Sequence, residues 1–137
     1  MSLRRYATAA TAIVSLAIPV AVSTTGVADA ATLQLDSVTI TYNISAAPDF
    51  ASAITTGMSH WNGSLSNVTL QRTSGRADLT FHEGNYAQGS YYYGAGNGQG
   101  NIYIDFRQAQ QYDNVRIAAH ETGHDLGLPD DYSGPCS

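Results

Sequence analysis

The stretch His120-Glu121-Thr122-Gly123-His124-Asp125-Leu126-Gly127-Leu128-Pro129-Asp130 prescribes both a helix and its end. Residues four apart on an α-helix stand one above the other, about 40° apart in azimuth. His120 and His124 therefore present two imidazoles to one ion. Glu121 projects about 100° round from His120, beside such an ion rather than on it, where it can hold a water. Asp125 is turned about 100° from His124 and points elsewhere. A helix continued as far as Asp130 would rise about 9 Å beyond His124 and carry that carboxylate away. Gly127 instead offers the left-handed conformation that ends a helix, and Pro129 blocks its resumption. The chain is expected to turn back and bring Asp130 to the histidines. Asp131 has the same chemistry but stands one residue out of the pattern.

The expected ligand set is His120, His124 and Asp130, with Glu121 as general base, the arrangement of a zinc peptidase. With 4 His in the chain, a chance H-E-x-x-H has a probability of roughly 0.002, and the added Gly and Asp lower it to about 10⁻⁵. A polar helix end with merely structural histidines would need no Glu, Gly and Asp at these offsets. His60 and His82 have no partner at ligand spacing and read as surface or core-edge histidines.

Outward from this motif the chain alternates strands with two helices. The helix carrying the motif is expected over Asp113 to Leu126. Asp36–Asn43 alternates Val38, Ile40 and Tyr42 with Ser37, Thr39 and Thr41, a half-buried strand. Pro48 and Asp49 open a helix with Phe50, Ile54, Met58 and Trp61 on one face, and Gly63 is placed to end it. Val68 and Leu70 mark a second strand, and Leu79 and Phe81 a third, with a turn at Ser74-Gly75 between them. Ile102, Ile104 and Phe106 alternate in another. The Gly-rich run Tyr91–Gly100 has the wrong spacing for a phosphate loop and no helix directly after it. It reads as a mobile hairpin or a substrate-facing loop. Sequons occur at Asn43, Asn62 and Asn67, and matter only in a glycosylating host.

The chain has 137 residues, enough for one domain, without internal repeats or an interdomain linker. It is 43% hydrophobic and only 12% charged, which excludes a disordered acidic tail. With 6 basic against 11 acidic residues and a net charge of -5, it has no basic stripe for nucleic acid. Arg4 and Arg5 precede an apolar run, Ala9–Val22, that is shorter than the ~20 residues of a spanning helix. Ala28-Asp29-Ala30 then forms an A-x-A cleavage pattern. Residues 1–30 read as a secretory signal peptide and 31–137 as the catalytic domain, secreted and free of membrane after cleavage. The lone Cys136 then needs a partner in another chain or in sequence beyond this one.

HETGHDLGLPDDYSGPCS (120–137), with VTITYN (38–43) and YIDFRQAQQYD (103–113), closely resembles the snapalysin family of small secreted bacterial zinc endopeptidases of the metzincin type. The resemblance covers most of residues 36–137 and is strongest from Asn101 onward. It implies an α+β, metzincin-like zincin fold, a twisted mixed sheet of four to five strands packed on two helices, with the active-site helix under the cleft. It implies a monomer that hydrolyses protein or peptide substrates on the amino side of aromatic residues, mainly Tyr or Phe. It gives Tyr132 the place of a tyrosine that stabilises the transition state. A structural calcium site of the family falls on Asp113 and Val115, where relatives often carry Thr and only a backbone carbonyl could serve here. Family sequences continue past the position of Ser137 into a Met-turn and a further helix. The resemblance therefore implies a domain whose C-terminal subdomain is missing, with the partner of Cys136 in that segment. Met58, in the first helix, is no substitute for the Met-turn. Two other expectations stand beside the enzyme: a truncated, catalytically inactive secreted binding module that keeps the zinc motif, and an acidic calcium- or sugar-binding surface domain.

Overall fold

Alternation along the first strand, β1 (Val38–Ala46), buries Ile40, Tyr42 and Ile44 and turns the intervening residues to the opposite face. It runs beyond the expected end at Asn43 because Ile44 continues the apolar period. In the computed structural model, which describes residues 36–130, four further strands join it: β2 (Val68–Arg72), β3 (Leu79–Gly84), β4 (Tyr91–Gly94) and β5 (Gly100–Asp105). Residues 1–30, expected to be a signal peptide, and Asp131, Tyr132 and Cys136 lie outside the described residues. The five strands form one mixed sheet in the order β2-β1-β3-β5-β4, with β4 antiparallel at the edge and the other pairs parallel. Two helices, α1 (Ala51–Ser64) and α2 (Asn114–Asp125), complete the expected α+β architecture.

Parallel strands of one sheet usually need a long crossover, yet only a short loop joins β2 to β3, which flank β1. The stagger explains it. β2 pairs with Val38–Tyr42 of β1, whereas β3 starts opposite Tyr42 and continues towards Ala46. The chain leaves β2 where β3 begins and has only to step across β1. That step is fastened by Asp78, whose carboxylate accepts from the Thr41 backbone N–H (2.9 Å) and hydroxyl (2.6 Å). The Asn43 side chain adds a bond to the Gly75 carbonyl at 2.7 Å.

A 3₁₀ turn at Pro48–Phe50 leads into α1, which buries Ile54 and Met58 against the sheet. The helix passes through Gly63, where an end was expected, and stops at Ser64. No left-handed residue ends it; Leu65 turns extended, and its N–H bonds back to the Trp61 carbonyl at 2.9 Å. Asn62 latches the helix to β2 through both backbone groups of Leu70. α2 lies close against α1 at Gly57, where a Cβ would stand 3.2 Å from the Ala119 nitrogen and 3.3 Å from the Val115 carbonyl oxygen. The Trp61 indole donates to the Ala119 carbonyl at 2.9 Å.

β5 ends at Asp105, one residue before the expected Phe106. The buried Asp105 carboxylate gathers the backbone N–H groups of Tyr86, Arg107 and Gln108 at 2.6, 3.1 and 2.9 Å, which bends the chain out of the sheet. Phe106 then packs on Phe50, ring centroids 5.8 Å apart. Past a second 3₁₀ turn (Gln108–Gln110) the chain enters α2. Among the described residues no helix is long and apolar enough to cross a membrane.

Candidate metal centre

α2 starts where expected. Asp113 is its N-cap, with Oδ1 accepting from the Arg116 N–H at 2.8 Å. It ends as the glycine demands: Gly127 has φ +87°. Its N–H bonds to the His124 carbonyl (3.0 Å), and that of Leu128 to the Gly123 carbonyl (2.9 Å), the paired bonds of a Schellman end. The reversal sends Pro129 and Asp130 back along the helix.

It also orients His124. His124 Nδ1 lies 2.8 Å from the Leu128 carbonyl and donates to it, so Nε2 carries the lone pair. Asp130 Oδ1 stands 3.2 Å from His120 Nε2 and 3.3 Å from His124 Nε2. A tetrahedral zinc with bonds of 2.0–2.1 Å has ligand–ligand edges of about 3.3 Å; the two edges from Asp130 match it, and all three donor atoms lie within 4.8 Å of one another. Among the described residues no other group of three or more His, Cys, Asp and Glu side chains gathers at ligand distance.

Glu121 is buried at 6% exposure beside this triangle. Burial pushes its carboxyl up to about 7; the Asp130 charge adds to the rise, while His124 and a hydrogen bond from the Tyr92 backbone oppose it. In a metal-free site that is the behaviour of a group able to exchange a proton near neutrality. His120 and Glu121 open on a pocket of about 140 Å³, also lined by Gln108, Tyr112, Arg116 and Ile117.

Other expectations fare differently. The run Tyr91–Gly100 is a hairpin, but its tip is docked, not loose: the Gly98 N–H bonds to the Asp125 carbonyl at 2.8 Å. Asp125 does point away from the histidines, into full burial, with neither carboxylate oxygen hydrogen-bonded. The Tyr92 hydroxyl lies alongside but donates to the Gln99 carbonyl at 2.9 Å. Burial raises the Asp125 carboxyl to about 6. Sequence reasoning passed over its setting, although Ala118, Thr122 and Asp125 follow one helical face. Met58 lies under α2 at Thr122, Sδ 3.9 Å from Oγ1. His60 is exposed, and His82 stacks on Tyr103 (4.8 Å) and meets Asn101 Oδ1 at 3.0 Å. At the expected calcium pair, Asp113 is engaged in its cap and the Val115 carbonyl faces Gly57 inside the helix contact. No third acidic group joins them among the described residues.

Residues 37–137 match the Streptomyces extracellular neutral proteinase (M7) family. The extracellular small neutral protease of Streptomyces sp. (strain C5) is 56% identical over 100 residues, 73% of this chain and 44% of that protein. That of Streptomyces caespitosus is 52% identical over 100 residues, covering 75% of its length. The chain thus spans less than half the length of the first relative. Among solved structures, that of myroilysin aligns with a TM-score of 0.50 at 20% identity, covering 66% of this chain and 48% of the other, a likeness of fold.

Proposed function

The chain belongs to the Streptomyces extracellular neutral proteinase (M7) family, and from that premise we propose that it is a secreted zinc-dependent endopeptidase cleaving proteins and peptides on the amino side of aromatic residues. The observation that carries this reading is the triangle of His120, His124 and Asp130 donor atoms, at zinc-ligand spacing, with buried Glu121 beside it. His120, His124 and Asp130 would hold the zinc, which would supply Lewis acidity for peptide hydrolysis. Glu121 takes the proton of the attacking water and passes it to the leaving amine. Tyr132, two residues beyond Asp130, has the role of donating a hydrogen bond to the developing oxyanion. The names of the relatives support an extracellular site of action, and residues 1–30 supply the signal peptide of this reading.

Two substitutions test the assignment. Glu121→Gln retains zinc but loses roughly 10²–10⁴-fold in cleavage of a Phe- or Tyr-containing peptide; near-wild-type turnover would remove Glu121 from the chemistry. Asp130→Ala weakens zinc retention in metal analysis and Asp131→Ala does not; the opposite order would make Asp131 the third ligand. A wild-type chain that holds zinc yet gives no chelator-sensitive cleavage would be a binding module.

A further inference from the structure

The end of α2 leaves its last carbonyls in need of partners. The reversal at Gly127 supplies three: Leu126 N–H serves Thr122 (3.0 Å), Leu128 N–H serves Gly123 (2.9 Å) and Gly127 N–H serves His124 (3.0 Å). The fourth, that of Asp125, is served from another part of the chain by Gly98 N–H at 2.8 Å. Gly98 is itself seated in the core, since a Cβ there would stand 2.7 Å from Ile40 Cδ1.

Backbone lies directly on backbone next to this bond. Gly96 and Gly127 both have left-handed φ values, +69° and +87°. A Cβ on Gly96 would lie 3.3 Å from Gly127 Cα and from the His124 carbonyl oxygen, and one on Gly127 would lie 2.9 Å from the Gly96 oxygen. The hairpin tip is held in that position from within. Tyr92 turns its ring into the hairpin, against Gly94 and Gly100. Its hydroxyl accepts from Gly96 N–H at 3.0 Å and donates to the Gln99 carbonyl at 2.9 Å.

Building on the zinc reading above, we propose that the β4–β5 hairpin tip, through Gly96, Gly98 and the Tyr92 brace, is a clamp that positions the turn carrying Asp130 and so sets the metal affinity of the His120–His124–Asp130 site. Both histidines stand on the helix, but the turn holds the His124 ring through the Leu128 carbonyl and alone brings Asp130 to them, and the other face of that turn is the hairpin. With the clamp closed, the third ligand is in place before the ion arrives. With it loosened, the turn must be ordered on binding, and that ordering is subtracted from the affinity. Gly96, Gly98 and Tyr92 are positioning residues that act through the turn.

The test uses the full chain, zinc alone as ligand, and three variants. Gly96→Ala puts a Cβ between hairpin and turn, and Tyr92→Phe removes only the hydroxyl that braces the tip. Gly89→Ala is the control: its φ of +86° carries the same backbone strain, and the atoms nearest its Cβ belong to the Gln108 side chain, not to the hairpin tip or the turn. Zinc affinity is read by competition with a chromogenic chelator, site geometry by the visible spectrum of the cobalt-substituted protein, and stability by the melting of the metal-free form. The expected result is a loss of about tenfold in zinc affinity for Gly96→Ala, of the size seen when groups that orient metal ligands are removed, and a smaller loss for Tyr92→Phe. Both should shift the cobalt spectrum. Gly89→Ala should melt lower yet bind zinc as the wild type does. Unchanged affinity in both clamp variants, or losses that follow the melting temperature in all three proteins, would overturn the clamp. A wild-type chain that fails to bind zinc would instead defeat the zinc reading and, with it, the clamp.

Discussion

α1 and α2 pack against one another and against the same sheet, but α2 also buries polar groups and carboxyls, which α1 does not. The buried positions of α1 are Ile54, Gly57 and Met58, two apolar side chains and a glycine that admits its neighbour. Those of α2 include Glu121, Thr122 and Asp125 beside Ile117, Ala118 and Gly123. A helix that buries two carboxyls gains little from the hydrophobic effect over that area. It is kept in place by specific partners: the Asp113 cap, the Trp61 indole on the Ala119 carbonyl, the Thr122 hydroxyl on the Ala118 carbonyl at 2.7 Å, and the hairpin on its last turn. Both helices contribute to one apolar core, and the candidate site is concentrated on the one that also relies on specific polar partners.

The sharpest way to break that contrast is at Met58, where the two meet. Met58→Ala leaves a cavity under Thr122 and is expected to cost about 2–5 kcal/mol, read by urea denaturation of the metal-free protein. If α1 serves only as support, the zinc affinity of the folded fraction stays at the wild-type value in chelator competition below the transition. An affinity that falls further than the stability would show that α1 shapes the site directly.

The same contrast separates what could be read in the sequence from what could not. Period-two alternation exposed β1, β3 and β5, and the cap at Asp113 and the glycine at position 127 bounded α2 to within a residue. These are local signals, and so is the ligand spacing of His120, His124 and Asp130. The stagger that lets β3 follow β2 without a crossover depends on register across β1, to which neither strand's pattern refers. The docking of the hairpin on α2 is made of glycine backbone, which has no side-chain pattern to betray it. Asp125 was closer to legible, since its spacing from Ala118 and Thr122 puts it on the inner face. What counted against such a reading was its charge, which burial disfavours, pushing the carboxyl up to about 6.

Acidity offers a second test of the contrast. Asp125 and Glu121 both hold protons more tightly when folded, at about 6 and about 7, chiefly through burial. Between about pH 4 and those values the native state binds more protons than the unfolded chain, so stability falls as pH rises. Asp78 and Asp105 have the opposite sign. Hydrogen bonds from Thr41 to Asp78, and from the Tyr86 backbone to Asp105, lower their pKa values, and that stabilisation disappears as pH drops below about 4. The metal-free protein should therefore melt highest at mildly acid pH and lower at pH 8, by an amount on the order of 1–3 kcal/mol per buried carboxyl. Asp125→Asn removes the part of the slope between about pH 4 and 6, so its melting temperature relative to wild type rises with pH across that window. A constant difference would mean that Asp125 does not titrate with folding.

The smallest effect lies at the other end of α2. Asp113 is exposed, and its described contact is the cap on Arg116 N–H. Removing an N-cap costs about 1 kcal/mol, so Asp113→Ala should lower the melting temperature slightly, whereas Asp113→Asn, which still accepts the N–H, should stay close to wild type. The pair also separates a cap from a cation ligand. A cap responds to the loss of the acceptor oxygen and is indifferent to calcium; a calcium ligand responds to the loss of charge, so Asn would behave like Ala and the difference would appear only with calcium present. Melting curves of the three proteins, with and without calcium, should group Asn with wild type under both conditions. Grouping with Ala in calcium alone would restore the ion to this helix start, and α2 would then owe its hold at both ends to metals.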